Sequence, residues 1–495
     1  MILAIRFPKS AILAKNFQGG NFISGRGPKI KIYSPLNGEI IGEVFSTTKD
    51  EIHKMSVEAL MSQKKWEEIG IKERTQVIFK FRQILLKNCN EIANTICLEN
   101  GKTLDEARAS VMKGIEVTEF ATSLANLDKG GRLEVSRGVH CEYRREALGV
   151  VASITPFNFP AMVPLWTIPI ALTLGNSFIW KPSEKTPLTA TLIAEALKEA
   201  GVPDGVFNIA HGTKEVVEAI LCEPLIRAVS FVGSTKVARL VYEQGHSNGK
   251  RVLALGGAKN HIVLMPDAQS DLSVRGISDS FTGCAGQRCM AASVLLAVGD
   301  PKKIDPLISK IVERAQSLKL GVDMGAIISK EQKAFLSAAI ERAQKEGAKI
   351  LLDGRDATIP KGFEGGNWLG PTILDQVSAT SSASLTELFG PILSIIRCSD
   401  LKEAMTIENA NPYGNACSVF TSNGGYAEYV ANSAKSAMIG INVGVPVPRE
   451  PFSFGGMNDS KFGHGDITGE NSLNFWSNIK KVTTKWEAHF QNWMS

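Results

Sequence analysis

Residues 150–181 read VVASITPFNFPAMVPLWTIPIALTLGNSFIWK, and this stretch decides the fold class. Two short apolar runs, Val150 to Ile154 and Ser177 to Trp180, flank a longer apolar segment broken by Pro164, Pro169, Gly175 and Asn176. Runs of this length are strand-sized, and unbroken apolarity is what a strand buried on both faces requires. The breaks leave no stretch of roughly 18 or more consecutive apolar residues, so no membrane span is expected. The segment is read as a buried helix followed by a strand. The alternation then continues. Val206 to Ile209 and Ala228 to Val232 are strand-like, whereas Pro187 to Ala200 and Lys214 to Leu221 carry helical periodicity. This pattern predicts an α/β fold with a parallel, doubly wound sheet.

Upstream, apolar residues recur three or four apart through Lys49 to Trp66, Ile71 to Leu98 and Leu104 to Leu124, predicting three amphipathic helices. Downstream, His261 to Met265, Ala291 to Val298, Lys349 to Leu352 and Ile392 to Arg397 read as strands. Ile304 to Leu318 and Glu331 to Glu346 read as helices, which predicts a second α/β unit. Residues 130–146 (GGRLEVSRGVHCEYRRE) alternate like a hairpin, and residues 480–486 do likewise. Together they form a candidate subunit-pairing ribbon.

The chain has 495 residues, 44% of them hydrophobic and 21% charged, enough for a sizeable core and more than one domain. Its net charge of +5 comes with no long Lys/Arg run, so nucleic-acid binding is not implied. The eight cysteines lack the pairing and histidine partners of a zinc site, which predicts no metal and a reducing compartment. That compartment is expected to be the cytoplasm. The basic, apolar opening MILAIRFPKSAILAK has the composition of an organelle transit peptide, with the mitochondrial matrix as the alternative location. It is short for one and is read as an N-terminal arm.

Residues 281–290, FTGCAGQRCM, place Cys289 after a Gly-Gln-Arg turn. A cysteine there is a candidate nucleophile, because Arg288 and nearby backbone amides would favour the thiolate. Asn158, at the turn after Ile154, could donate its amide to a developing oxyanion. Trp180-Lys181-Pro182-Ser183-Glu184 and Phe231-Val232-Gly233-Ser234-Thr235 end strands, where α/β sheets take nucleotides and a helix N-terminus favours pyrophosphate. No GxGxxG fingerprint is present.

PFNFP, WKPSEKTP, FVGST, LGG, GQRC and Glu387-Leu388-Phe389-Gly390-Pro391, in this order, resemble the aldehyde dehydrogenase superfamily from about residue 17 to 490. The resemblance implies a Rossmann-type NAD-binding domain (1–127 and 148–256), an α/β catalytic domain (257–455) and a small β oligomerisation ribbon (128–147 and 475–490). It makes Cys289 the nucleophile and Asn158 the oxyanion donor. Thr155, Phe157, Lys181, Glu184, Ser234, Glu387 and Phe389 become cofactor contacts. A carboxylate at the ribose, Glu184, favours NAD over NADP. The same resemblance implies a homodimer or homotetramer.

Hydrolytic members carry a glutamate in an ELGGK string that activates water. This chain instead reads RVLALGGAKNH over 251–261, with no carboxylate between Glu243 and Asp267. Aligning on the glycines puts Ala254 at the base position, whereas aligning on Lys259 puts Leu255 there. General-base help contributes about 10²- to 10⁴-fold, so a better nucleophile than water is expected. GAKNH, AGQRCM, PFNFPAMVPLW, KPSE, NPYGNA and PVPREPFSFGG resemble the CoA-acylating methylmalonate-semialdehyde dehydrogenases, with coenzyme A supplying the thiol. The implied substrate is a small acidic aldehyde, malonate or methylmalonate semialdehyde. Its carboxylate would meet Arg288 and the residue matching a second arginine, which here is Lys113. Arg108 lies about 140° around the helix from that position and is a poor substitute. Two rivals remain: a hydrolytic semialdehyde dehydrogenase using His261 or bound water, and a non-catalytic binding protein of the same fold.

Overall fold

The structure, a computed structural model, describes residue 5 and residues 7–486. Part of the N-terminal arm and the end of the expected ribbon, 487–490, lie outside the described residues.

Two sheets organise the chain. The first holds β1 (Val150–Ile154), β2 (Ser177–Lys181), β3 (Ile226–Val232) and β4 (Arg251–Leu255). Its order is Lys461–Gly463, β4, β3, β1, β2, Phe207–Ile209, Asn16–Gln18, Asn21–Ile23. The five central strands run parallel, and the flanking strands are antiparallel. From β1 the chain steps outward one way through β2 and later the other way through β3. A crevice therefore opens between β1 and β3 at their carboxyl ends. The second sheet holds β5 (Asn260–Leu264) and β6 (Ala292–Val298) at its centre, with Ile392–Cys398 beside β6 and Ala416–Phe420 beside β5. All its pairings are parallel except that of Lys349–Leu352 with Thr372–Asp375.

Four helices position the site: α1 (Leu104–Thr122), α2 (Met162–Thr173), α3 (Thr235–Ser247) and α4 (Ser270–Thr282). The expected single helix over Ile71 to Leu98 is two, Ile71–Lys87 and Cys89–Asn100. The break is at Asn88 (φ −96°, ψ 8°), a residue whose short amide competes with helical bonding. Leu124 likewise starts a separate turn, Leu124–Leu127, after α1 ends at Thr122. The small sheet of Ile12–Ala14, Ile40–Phe45 and Lys29–Tyr33 was not anticipated.

Asn176 ties the first sheet to its surroundings. Its Oδ1 accepts from the Leu148 amide at 2.8 Å, and its Nδ2 donates to the carbonyls of Ala171 (3.0 Å) and Trp476 (2.9 Å). Leaving such a buried group unpaired costs about 1–3 kcal/mol. Ser477–Lys485 pairs antiparallel with Val139–Ala147, which pairs with Gly131–Ser136, in a three-stranded ribbon. Residues 475 and 476, expected in this ribbon, instead end the helix Asn471–Trp476, whose Trp476 is fully buried. Leu133, Val135, Tyr143 and Ile479 of the ribbon are exposed. Among the described residues no helix is long and apolar enough to cross a membrane, and no cluster of His, Cys, Asp and Glu is placed to hold a metal. All eight cysteines are free.

Candidate active site

The carboxyl end of the first sheet faces the amino end of the second. Residues 155–158 follow β1, Ser234 follows β3, and 256–259 carry the chain from β4 to β5. Cys289 lies just before β6.

The turn before Cys289 is tightly constrained. Cys284, Ala285 and Gly286 all lie in the left-handed region (φ 53°, 52° and 68°), a conformation sustained only where the surroundings enforce it. The Cys284 amide donates to Glu106 of α1 at 2.5 Å. A Cβ on Gly286 would sit 2.1 Å from the Gly390 carbonyl oxygen, so only glycine lets this turn pack on the Glu387-to-Pro391 segment. The Cys289 carbonyl accepts from two side-chain amides, Asn260 Nδ2 (2.8 Å) and Asn415 Nδ2 (2.9 Å). The Ala416 amide in turn donates to Asn260 Oδ1 at 3.1 Å. Cys289 is thereby fixed from β5 and from the start of the neighbouring strand Ala416–Phe420. Cys289 as a whole residue is partly exposed. Burial and then the nearby Glu387 carboxylate push its thiol up to about 12 from the ordinary 9.0. Arg288 and the local amides do pull toward the thiolate, as expected, but burial and Glu387 outweigh them.

Asn158 is buried and joined to the same turn, its Nδ2 donating to the Gln287 carbonyl at 3.0 Å. One hydrogen of that amide remains for a ligand, and its Oδ1 has no partner among the described residues. Lys102 Nζ donates to the Asn158 carbonyl at 2.5 Å. Gln287 is braced by accepting from the Ile328 amide at 3.0 Å and donating to the Ala326 carbonyl at 3.2 Å.

The other expected contacts gather along the crevice. Lys181 Nζ lies 3.3 Å from Glu184 Oε2, and burial holds the lysine below its usual range. Ser234 caps α3, yet its side chain makes no capping bond among the described residues, leaving its hydroxyl and the first-turn amides for an anion. Phe157 and Phe389 meet edge to face at 5.9 Å. Glu387 accepts from the Ala258 amide at 3.0 Å, and a Cβ on Gly257 would sit 2.1 Å from its Oε2. Burial pushes Glu387 up to about 7 and the neighbouring Lys259 down to about 7, each partly offset by the other. The Thr155 hydroxyl is taken by Trp180 Nε1 at 2.8 Å. An unsatisfied helix N-terminus, a lysine–carboxylate pair and an aromatic pair along a switch-point crevice fit a dinucleotide.

Strand alternation decides the missing-base question. Leu255 belongs to the apolar cluster that includes Cys284 and Met290 and against which Cys289 packs, whereas Ala254 joins the cluster on the other face with Ile52 and Phe231. Of the two, Leu255 is therefore the one on the face of β4 whose cluster Cys289 joins, and it is buried and without a titrating group. His261 follows Asn260 on β5 and so points to the opposite face, where its Nδ1 lies 2.7 Å from the buried Glu408 carboxylate.

The two carboxylate candidates are already engaged. Arg288 Nη2 donates to the carbonyls of Asp279 and, at 3.0 Å, Ser280 at the end of α4. Its Nε is buried with no partner among the described residues. One arm of the guanidinium is thus already committed. Lys113 Nζ lies 3.1 Å from Glu116 and 3.2 Å from Glu450. Arg108 bonds Asn90 at 2.9 Å. Sequence reading missed Asn260, Asn415, Lys102 and Gln287 as supports, although GAKNH, NPYGNA and GQRC contain three of them.

The sequence profile of the aldehyde dehydrogenase family matches residues 22–482. The chain is 38% identical over 480 residues to malonate-semialdehyde dehydrogenase 1 of Geobacillus thermodenitrificans, covering 95% of this chain and 98% of that one. It is 39% identical over 492 residues to the human mitochondrial methylmalonate-semialdehyde/malonate-semialdehyde dehydrogenase [acylating], covering 98% and 91%. A Sinorhizobium meliloti protein provisionally named a methylmalonate-semialdehyde dehydrogenase, solved with NAD, superposes with a TM-score of 0.95 at 37% identity, over 97% and 99% of the two chains.

Proposed function

This chain belongs to the aldehyde dehydrogenase family, and we propose that it catalyses the NAD-dependent, CoA-acylating oxidation of malonate or methylmalonate semialdehyde. The observation that carries this reading is the buried, apolar Leu255 on the face of β4 that shares the Cys289 cluster, at one of the two positions that align with the water-activating glutamate.

Lys181, Glu184 and Ser234 would hold the adenosine and pyrophosphate parts of NAD, with Glu387 and Phe389 at the nicotinamide end. Bound NAD supplies the hydride acceptor and a positive charge beside the thiol. The Cys289 thiol gives up its proton to solvent and its sulfur adds to the aldehyde carbon, forming a C–S bond, while the carbonyl oxygen takes the negative charge. The uncommitted hydrogen of Asn158 Nδ2 is available to that oxygen, a contribution of the kind worth about 10²–10³ in rate. Hydride loss from the same carbon leaves a thioester on Cys289. With Leu255 at the base position no side chain there activates water. The CoA thiol takes the acyl group instead and returns Cys289 as a thiol. Loss of CO2 from the β-carboxylate, through the enolate of the thioester, gives acetyl-CoA or propionyl-CoA. Arg288 and Lys113 are the side chains proposed to meet the substrate carboxylate.

Intact-mass analysis after mixing enzyme, NAD and malonate semialdehyde without CoA tests this reading. An acyl adduct on Cys289 that CoA discharges is expected, and an adduct that water clears as fast would contradict it. The exposed ribbon is proposed to pair subunits in a homodimer or homotetramer, which native mass checks and a monomeric mass contradicts. A reducing location, cytoplasm or mitochondrial matrix, fits eight free thiols.

A further inference from the structure

The segment 444–454 runs across the site as a strap. At one end the Gly444 carbonyl accepts from Ser280 Oγ at 2.7 Å, beside the carbonyl that Arg288 holds, and Val445 packs on the cluster that Cys289 also joins. At the other end Phe454 is buried, its ring 4.7 Å from Trp166 of α2. Between these anchors Val447, Arg449, Pro451 and Phe452 are exposed. The Glu450 side chain turns inward. It is only 9% exposed, and its carboxylate lies 3.2 Å from Lys113 Nζ on α1. Gly114, beside Lys113, packs on α2 just after the Asn158 turn, where a Cβ on it would lie 2.6 Å from Leu165 and 3.3 Å from the Met162 Cα.

The local charges cancel. Lys113 and Arg449 stand against Glu116 and Glu450, the Arg449–Glu116 pair being long at 3.9 Å. An incoming carboxylate therefore finds no unpaired cation on α1. A buried ion pair adds little to stability that apolar packing could not supply, so an inward carboxylate between the exposed Arg449 and Pro451 calls for another role.

We propose that Glu450 is a specificity-determining residue, its carboxylate competing with that of an acidic aldehyde for Lys113 and setting how strongly such a substrate is held. This rests on the reading that the cavity beside Cys289 takes an acidic aldehyde.

The test compares alkylation of Cys289 by iodoacetate and by iodoacetamide, followed by peptide mass, in the wild type, Glu450→Gln and Glu450→Gln combined with Lys113→Met. These reagents have similar size, but iodoacetate is anionic and iodoacetamide neutral, so their rate ratio reads anion preference without turnover. The ratio should rise about fivefold or more in Glu450→Gln, the scale of losing one competing ion pair, and fall back when Lys113 is also removed. The KM for malonate semialdehyde should fall in parallel, relative to that for propanal. An unchanged ratio in Glu450→Gln, or a rise that persists without Lys113, overturns the proposal even if malonate semialdehyde is a good substrate. A ratio that responds as expected in an enzyme that does not turn over malonate semialdehyde would uphold the competition and reject the substrate reading.

Discussion

Asn260 donates its side-chain amide to the backbone carbonyl of Cys289 at 2.8 Å, and this one bond ties the first residue of β5 to the nucleophile just ahead of β6. The amide also reaches the Ala291 carbonyl at 3.0 Å, so it brackets Cys289 on the side leading into the strand. Asn260→Ala should lower kcat about 10- to 100-fold, the scale expected when a reacting atom is displaced by about an ångström. The KM for NAD should change little, because the amide does not face the crevice after β3. Steady-state kinetics check this, and a loss confined to KM for NAD would assign Asn260 elsewhere.

Leu255→Glu restores a carboxylate on the face of β4 that packs toward Cys289. CoA-independent NADH formation should rise at least about tenfold, at the low end of general-base assistance. The product should shift toward the free acid. Ala254→Glu, facing the other cluster, should give no such gain.

The Cys289 thiol is pushed up to about 12 by burial and Glu387. Its thiolate fraction should therefore keep climbing through pH 9.0, the ordinary value, in enzyme without NAD. Iodoacetamide alkylation of Cys289 followed against pH should show no plateau near neutrality. The same shift has a stability sign. The folded chain keeps this proton where the unfolded chain loses it, so the contribution is fully present below pH 9.0 and is lost as pH rises toward 12. A plateau at pH 7 would show the resting site already holds a thiolate.

Glu184 lies 3.3 Å from Lys181 at the carboxyl end of β2. Glu184→Gln removes the charge that would repel a 2′-phosphate, and the NAD-to-NADP preference in kcat/KM should narrow about tenfold, the equivalent of roughly 1.4 kcal/mol. An unchanged ratio would remove Glu184 from cofactor discrimination.

Much of this architecture is legible in the amino-acid sequence because its signals are local. The run of 150–181 contains β1, α2 and β2 with little displacement, since buried parallel strands and a buried helix announce themselves by apolarity and by Pro and Gly at their ends. Asn88 was passed over because apolar residues keep their helical spacing on both sides of it. The strand Ile12–Ala14 is too short to carry a period, whereas Lys29–Tyr33 (KIKIY) does alternate and was a missed signal. Leu255 and Ala254 could not be separated by alignment, and only their alternation on β4 does so. The Lys113–Glu450 pair was invisible for a different reason. It joins residues 337 positions apart, and nothing near either one signals the other.

The central claim is that a CoA thiol, not water, releases the acyl group from Cys289. The most direct measurement is NADH formation from malonate semialdehyde with and without CoA, with the products identified by mass. Sustained turnover only with CoA, yielding acetyl-CoA, is the predicted result. Equal turnover without CoA to a free acid would contradict the account.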